Sequence, residues 1–301
     1  MFQPLELMSA NPLLARERLM HSYHPSWQTS FYLNLMAKFG FKKQHRFPAL
    51  IRRYMKLFNN LSVTTDKNQI FRATNMMRQK ISKLKFMHYS NWSAYQNNWL
   101  DSNKNIRLTA GQLRFLKINT VISSLPIKSI VEFAANQGMF SAILAENSRI
   151  EKIVAIDNDE QAVDIMYKLL SQNRLSNNCV RKIFPMVRRF NYSISYGLPE
   201  RIKADAVIAL AMTHHLILTQ NMVTESMFRI FSQFTKRFIF VEFMPLGLWD
   251  GVHEPPPTPP WYTEAYFVEN MEKYFRVLMR MQLGKNRILF VGELKNHHCS
   301  G

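Results

Sequence analysis

The sequence predicts an α/β fold whose sheet is mostly parallel, preceded by a helical region. From residue 129 onward, short β-branched apolar runs alternate with segments of helical periodicity, which is typical of βαβ units. The last two apolar runs, 275–282 and 287–293, are close enough in the chain to pair antiparallel. Residues 1–100 lack this alternation and have helix caps and helical spacing instead.

The predicted elements follow from apolar periodicity and from capping residues. The predicted strands are 129–133, 152–156, 180–187, 204–210, 237–243, 275–282 and 287–293. The predicted helices are 109–125, 140–147, 160–173, 222–234 and 263–274, the third of them capped by Asp159. Helix 109–125 has apolar side chains on two sides, with Leu113 and Leu116 on one and Phe115 and Ile118 on the other. This pattern predicts burial from two directions.

The positive charge of the chain is concentrated at its beginning. Of 301 residues 47% are hydrophobic, which is enough for one substantial core, and the net charge is +18. Residues 1–100 hold fifteen basic and three acidic side chains, so they carry +12 of that charge. We therefore expect a helical basic N-terminal region, 1–100, and an α/β domain, 101–301. The charge attracts polyanions such as nucleic acid or anionic lipid, or it belongs to a solvated helical face.

The cysteines and the apolar runs indicate where the protein is located and whether it binds a metal. The two cysteines, Cys179 and Cys299, form no CxxC pair and have no metal-ligand spacing, so no metal site is predicted. No apolar run is long enough to cross a bilayer, and the first residues lack the pattern of a secretory signal. The expected location is the cytoplasm.

One segment has the composition of a cofactor-binding turn. An apolar run ending in Glu132 and Phe133 is followed by small residues up to Gly138 and then by a helical pattern, and a second strand ends in Asp157. Small residues let backbone N–H groups approach a ligand, and an acid at the end of the second strand can accept bonds from two ribose hydroxyls. Since Gly138 is the only glycine of this turn, an ordinary βαβ crossover without a ligand remains the alternative.

Four motifs in order, together with a joint at residues 92–95, resemble a known family. They are Glu-Phe-Ala-Ala-Asn-Gln-Gly-Met-Phe-Ser at 132–141, Ala-Ile-Asp at 155–157, the aliphatic strand leading into Thr-His-His-Leu at 207–216, and Val-Glu-Phe-Met-Pro at 241–245, and the joint is Trp-Ser-Ala-Tyr. Together they resemble the class I S-adenosylmethionine-dependent methyltransferases, and more narrowly a bacterial group related to the nodulation protein NoeA. The resemblance covers residues 90–293 and implies a Rossmann-like methyltransferase sheet.

The resemblance implies S-adenosylmethionine as the cofactor and assigns roles to eight residues. In the cofactor site, Glu132 would hold the methionine amino group, Asp157 the ribose, and the turn backbone of Ala134, Asn136 and Gly138 the adjoining parts. On the acceptor side, His214 or His215 would remove a proton, because histidine titrates near neutrality, and Glu242 would orient the acceptor or that histidine. The alternatives are a lysine salt bridge for Glu132, an exposed turn acid or helix cap for Asp157, packed histidines, and an arginine partner for Glu242.

Two departures from the family pattern affect the function. Ala134 replaces the first turn glycine, and Arg188-Arg189 stands where the family has an acid for the adenine amino group. Arginine cannot accept that hydrogen bond, so either another group accepts it or cofactor affinity is reduced or lost. The predicted activity is methylation of a small-molecule or glycan acceptor. The alternatives are an RNA methyltransferase that uses residues 1–100, or a catalytically inactive binding protein.

Overall fold

The computed structural model describes Asn75, Trp92, Gln96 and residues 99–190, 197–249 and 251–295. The helical basic region expected in residues 1–100 lies almost wholly outside these residues, so its helices and its charged surface stay predictions. The segment Ser90–Gly301 forms one compact unit. No helix within the described part of the chain is long and apolar enough to span a membrane.

Seven strands and seven α-helices make up the described part of the unit. The strands are β1 (Ser129–Phe133), β2 (Lys152–Asp157), β3 (Ile183–Val187), β4 (Ala204–Ala209), β5 (Thr235–Phe243), β6 (Phe275–Gly284) and β7 (Arg287–Leu294). The helices are α1 (Arg114–Ser124), α2 (Met139–Ala145), α3 (Glu160–Ser171), α4 (Asn177–Lys182), α5 (Leu198–Ile202), α6 (Thr224–Phe234) and α7 (Glu264–Glu272). A 3₁₀ turn, Ala110–Gln112, precedes α1, and a π-helix, His215–Thr219, follows β4.

The strands form one sheet in the order β3-β2-β1-β4-β5-β7-β6. All neighbouring pairs are parallel except those made by β7, which runs antiparallel to both β5 and β6. The chain moves outward from β1 in one direction and then returns to place β4 on the other side of β1. This order, with its reversed seventh strand, is that of the Rossmann-like methyltransferase fold. In such sheets ligands bind outside the carboxyl ends of the strands where the order reverses, here between β1 and β4.

Apolar side chains cover both faces of the sheet. One core includes Ile118 of α1, Phe140 of α2 and Met166 of α3, packed with Ile130 of β1. The other core includes residues of α6 and α7, packed with alternate strand residues such as Val131 and Phe133. Because successive strand residues point to opposite faces, Glu132 lies on the same side as Ile130 and faces α2.

Most predicted elements are confirmed within one or two residues, and two expectations are wrong. The predicted strand 180–187 begins as helix α4, because the Ser176 hydroxyl caps it by accepting the N–H of Cys179 at 3.2 Å, and only Ile183–Val187 is extended. The helix predicted at 109–125 is buried from one direction, since Leu113 and Leu116 are about half exposed, at 50% and 47%. Helix α5 and the π-helix had no sequence prediction.

Candidate active site

The carboxyl ends of β1, β2, β4 and β5 meet at one edge of the sheet. The structure places the predicted residues Glu132, Asp157, His214 and Glu242 at or just beyond these ends. Parallel strands aligned by the pairs Phe133↔Ile156 and Phe133↔Ala209 bring the ends of β1, β2 and β4 level with one another. The carboxylates and histidines therefore lie at the point where a ligand site is expected.

The turn after β1 has left-handed backbone at every second residue. Ala134, Asn136 and Gly138 have φ values of +55°, +51° and +82°. Only glycine adopts this region without strain, and an alanine there costs roughly 1–2 kcal/mol. At Gly138 there is also no room for a side chain, because a Cβ atom would lie 2.8 Å from the Cγ atom of Met166. Ala134 is exposed, whereas its neighbours from residue 130 to residue 145 are buried.

The Asp157 side chain connects this turn to the end of β2 through hydrogen bonds. Its Oδ2 atom accepts the backbone N–H of Asn136 at 2.7 Å, and its Oδ1 atom accepts the N–H of Asp159 at 2.9 Å. Burial raises the pKa of Asp157, and these two backbone bonds offset part of the rise. Asp157 is therefore neither an exposed turn acid nor a cap, since Asp159 caps α3 by accepting the N–H groups of Gln161 and Ala162. The expected ribose contact stays a prediction.

Glu132 is a buried carboxyl whose hydrogen-bond partner in the described part of the chain is a serine. It is 5% exposed, and the Ser141 hydroxyl on α2 donates a hydrogen bond to its Oε2 atom. Burial raises the pKa of Glu132 to about 8; the Ser141 bond lowers the pKa, and the nearby charge of Asp157 raises it. Within the described ranges no lysine or arginine forms an ion pair with Glu132, so the lysine salt bridge left open by the sequence is absent there.

The two histidines beyond β4 have rings in contact, with centroids 4.1 Å apart. His214 is buried, and its Nδ1 atom has no hydrogen-bond partner in the described part of the chain. Burial, together with the charges of His215 and Arg287, lowers the pKa of His214 to about 3. This direction is unfavourable for a base that acts near neutrality, and the proton-accepting role of the histidines stays a prediction. His215 is half-buried, burial lowers its pKa too, and its ring meets that of Trp92 edge-on at 4.8 Å.

Glu242 at the end of β5 holds two arginines. Its Oε1 atom accepts from Arg114 Nε at 2.9 Å, and its Oε2 atom accepts from Arg287 Nη1 at 2.9 Å. Oε2 also accepts the N–H of Ala211 at 2.8 Å, and the backbone oxygen of Glu242 accepts the Thr213 hydroxyl at 2.6 Å. These contacts match the alternative role, a structural partner for an arginine. They also fix the segment that leads to the histidines.

Several residues at the site had no predicted role. The Nδ2 atom of Asn136 donates to the backbone oxygen of Trp92 at 2.7 Å, and the Gln96 side chain accepts the N–H of Met139 at 3.3 Å. The Trp-Ser-Ala-Tyr motif was a sequence signal for Trp92. No sequence signal connected Arg114 with Glu242, because the two residues are 128 positions apart.

The sequence matches no protein-family model and no curated protein. The fold is similar to those of several solved structures. The methyltransferase domain of bacterial CtHen1 is 18% identical with a TM-score of 0.48, covering 62% of this chain and 100% of that one. The 16S rRNA methylase ArmA is 14% identical with a TM-score of 0.48, covering 69% and 100%. The N-terminal domain of EvdMO1 in the presence of SAH and D-fucose is 12% identical with a TM-score of 0.46, covering 67% and 94%.

Proposed function

We propose that this protein is an S-adenosylmethionine-dependent methyltransferase. The observation that carries the proposal is the edge of the sheet at the β1/β4 switch point. There a turn with three left-handed residues is fastened by Asp157 to the end of β2, beside the buried carboxyl of Glu132. Since fold alone does not imply function, the proposal rests on how these residues suit the cofactor.

The chemistry of these residues fits S-adenosylmethionine. Glu132 is a buried acid with no ion pair to a residue that the structure describes, and the cofactor's ammonium group would stabilise its ionised form. Both carboxylate oxygens of Asp157 already accept backbone bonds, and a carboxylate has about four acceptor positions, which leaves room for a ribose hydroxyl. The turn of Ala134, Asn136 and Gly138 presents backbone rather than bulky side chains, as a close approach to a ligand requires.

When bound, S-adenosylmethionine supplies an electrophilic methyl group on a positively charged sulfur. The protein then has to bind and orient the acceptor, exclude water and accept a proton. We assign the proton-accepting role to His215, which is half-buried, whereas the buried His214 has too low a pKa to act as a base near neutrality. Glu242 is already hydrogen-bonded to two arginines, so its proposed role is to position the histidine segment.

We propose a small-molecule or glycan acceptor, as in the NoeA-related group. Two half-exposed tryptophans support an acceptor with an apolar face: Trp92 at 48% contacts His215, and Trp261 at 48% lies in the loop after β5. That loop folds back over the strand end, because the Tyr262 hydroxyl donates to the Met244 oxygen at 3.2 Å. Pockets for small ligands are lined by such aromatic groups with a few polar ones.

RNA is the second candidate acceptor, because residues 1–100 hold fifteen basic and three acidic side chains. An inactive binding protein remains the alternative to both. The test is to incubate the purified protein and methyl-labelled S-adenosylmethionine with a cell lysate, then to separate RNA, protein and saccharide or small-molecule fractions. Label in the last fraction supports the proposed acceptor, and label in RNA replaces it with the second candidate.

A matched control makes the result specific to the site. The Asp157→Ala variant should transfer no label, while Asp164→Ala, which changes an acid on the outer surface of α3, should transfer as much as the wild type. Absence of label in every fraction with the wild type, in lysates of several growth conditions, would favour the inactive binding protein.

A further inference from the structure

Arg188 lies beside the edge of the sheet where the proposed cofactor site is. It is the first residue after β3, which pairs with β2 through Asp157↔Val187. Its backbone N–H donates to the backbone oxygen of Asp157 at 2.8 Å. Its Nε atom is buried and has no hydrogen-bond partner among the described residues. The neighbouring Arg189 is exposed.

Gln161 lies in the first turn of α3, shortly after the end of the adjacent strand β2. It is the second residue of α3, the helix that follows β2 and packs against β3. Its backbone N–H is bound to the cap residue Asp159 at 3.0 Å. Its side-chain Oε1 atom is buried and, within the described ranges, has no hydrogen-bond partner.

A buried donor and a buried acceptor without partners are unfavourable in a folded protein, and each needs an explanation. A ligand with the opposite pattern would supply the missing bonds. The two atoms belong to segments that follow neighbouring strands, at the edge where the proposed cofactor site lies. The Watson–Crick edge of adenine offers an amino donor next to the ring acceptor N1, which complements one acceptor and one donor.

We propose that Gln161 and Arg188 recognise the adenine of the cofactor, with Gln161 Oε1 accepting from the amino group and Arg188 Nε donating to N1. This inference rests on the proposed function. Gln161 of α3, the helix between β2 and β3, then takes the place of the acid that the family has after β3, and Arg188 donates a hydrogen bond that an ionised acid could not donate. This arrangement also makes the site selective for adenine over bases with the reverse pattern.

The selectivity can be measured with a base-altered ligand. S-adenosylhomocysteine is compared by calorimetry with the analogue whose adenine amino group is replaced by a carbonyl oxygen, so that the base is hypoxanthine. That base presents an N1–H donor to Arg188, which can only donate, so this contact becomes repulsive, whereas the Gln161 amide can turn and donate from Nε2 to the new carbonyl oxygen. The wild type should bind the adenine ligand at least roughly 100-fold more tightly, as sites built around hydrogen bonds do.

Variants then test each residue against a matched control. Gln161→Leu and Arg188→Leu should each weaken adenine-ligand binding about 10- to 100-fold, and Arg188→Leu should also reduce the preference for adenine. Gln172→Leu, at the exposed end of α3, and Arg189→Leu should leave both affinities unchanged. Gln161→Glu retains an acceptor and has no amide N–H to donate, so it should keep or increase the preference for adenine even if Gln161→Leu folds poorly.

The outcomes separate this inference from the proposed function. A wild type that binds neither ligand contradicts the proposed function. A wild type that binds S-adenosylhomocysteine with no preference over the hypoxanthine analogue, an Arg188→Leu variant that keeps the full preference, or a Gln161→Leu variant with unchanged affinity contradicts the adenine assignment and leaves the cofactor itself in place.

Discussion

Binding of S-adenosylhomocysteine should release a proton from Glu132. In the free protein, burial raises the pKa of this carboxyl to about 8, so it is mostly protonated at neutral pH. The ligand carries the same ammonium group as the cofactor. Placed beside Glu132, that group would lower the pKa of the carboxyl and favour loss of its proton.

The size of the effect follows from the pKa. At pH 7, a carboxyl with a pKa of about 8 is roughly nine-tenths protonated, so binding should release about 0.9 proton per ligand. Below pH 8 the dissociation constant should fall about tenfold for each unit rise in pH, because the ionised form is the one that binds.

The assay is calorimetry at pH 7 in two buffers with different ionisation enthalpies. The difference between the two observed binding enthalpies gives the number of protons released. Glu132→Gln cannot ionise and should release none, and Glu151→Gln, at an exposed position, should behave as the wild type. Equal enthalpies in both buffers for the wild type, with tight binding, would refute the assignment of Glu132 to the ammonium group.

Three further predictions concern stability. Ala134→Gly should stabilise the domain by about 0.5–1 kcal/mol, because glycine relieves the left-handed backbone, and a rise of about 1–3 °C in the thermal midpoint would show it; a fall would contradict the strain. Glu242→Ala should destabilise by about 3–5 kcal/mol in urea unfolding, because Arg114 and Arg287 lose their buried partner, and a loss under 1 kcal/mol would count against that pairing. The folded protein keeps the Glu132 proton that the unfolded chain loses, so stability should fall as pH rises from about 4.5 to 8, and Glu132→Gln should remove that contribution.

The sequence predicted the strands that position the site because their residues are continuously apolar and β-branched. Runs such as 129–133 and 152–156 are buried on both faces, and a buried parallel strand needs that composition. The start of β3 was missed because the helix signal there was a single cap, Ser176, whereas the apolar Val180 and Ile183 suggested a strand.

The site was predicted in position but not in all its chemistry. Strand ends fixed where Asp157 and Glu242 lie, since parallel strands end at a common edge. The low pKa of His214 results from burial and from the nearby charge of Arg287. One of the two ion pairs of Glu242 is formed with Arg114. Such contacts join residues that are far apart in the chain, so local patterns do not reveal them.

Whether the cofactor binds at Asp157 is tested most directly by calorimetric titration of S-adenosylhomocysteine into the wild type, Asp157→Asn, Asp157→Ala and the control Asp164→Ala. We predict one bound ligand per chain for the wild type and the control, and binding weakened by at least about 100-fold in Asp157→Ala, which loses the bonds of a buried carboxylate. Asp157→Asn, which keeps one acceptor for the turn, should fold and bind weakly. No binding by the folded wild type, or equal binding by all four proteins, would contradict a cofactor site at Asp157.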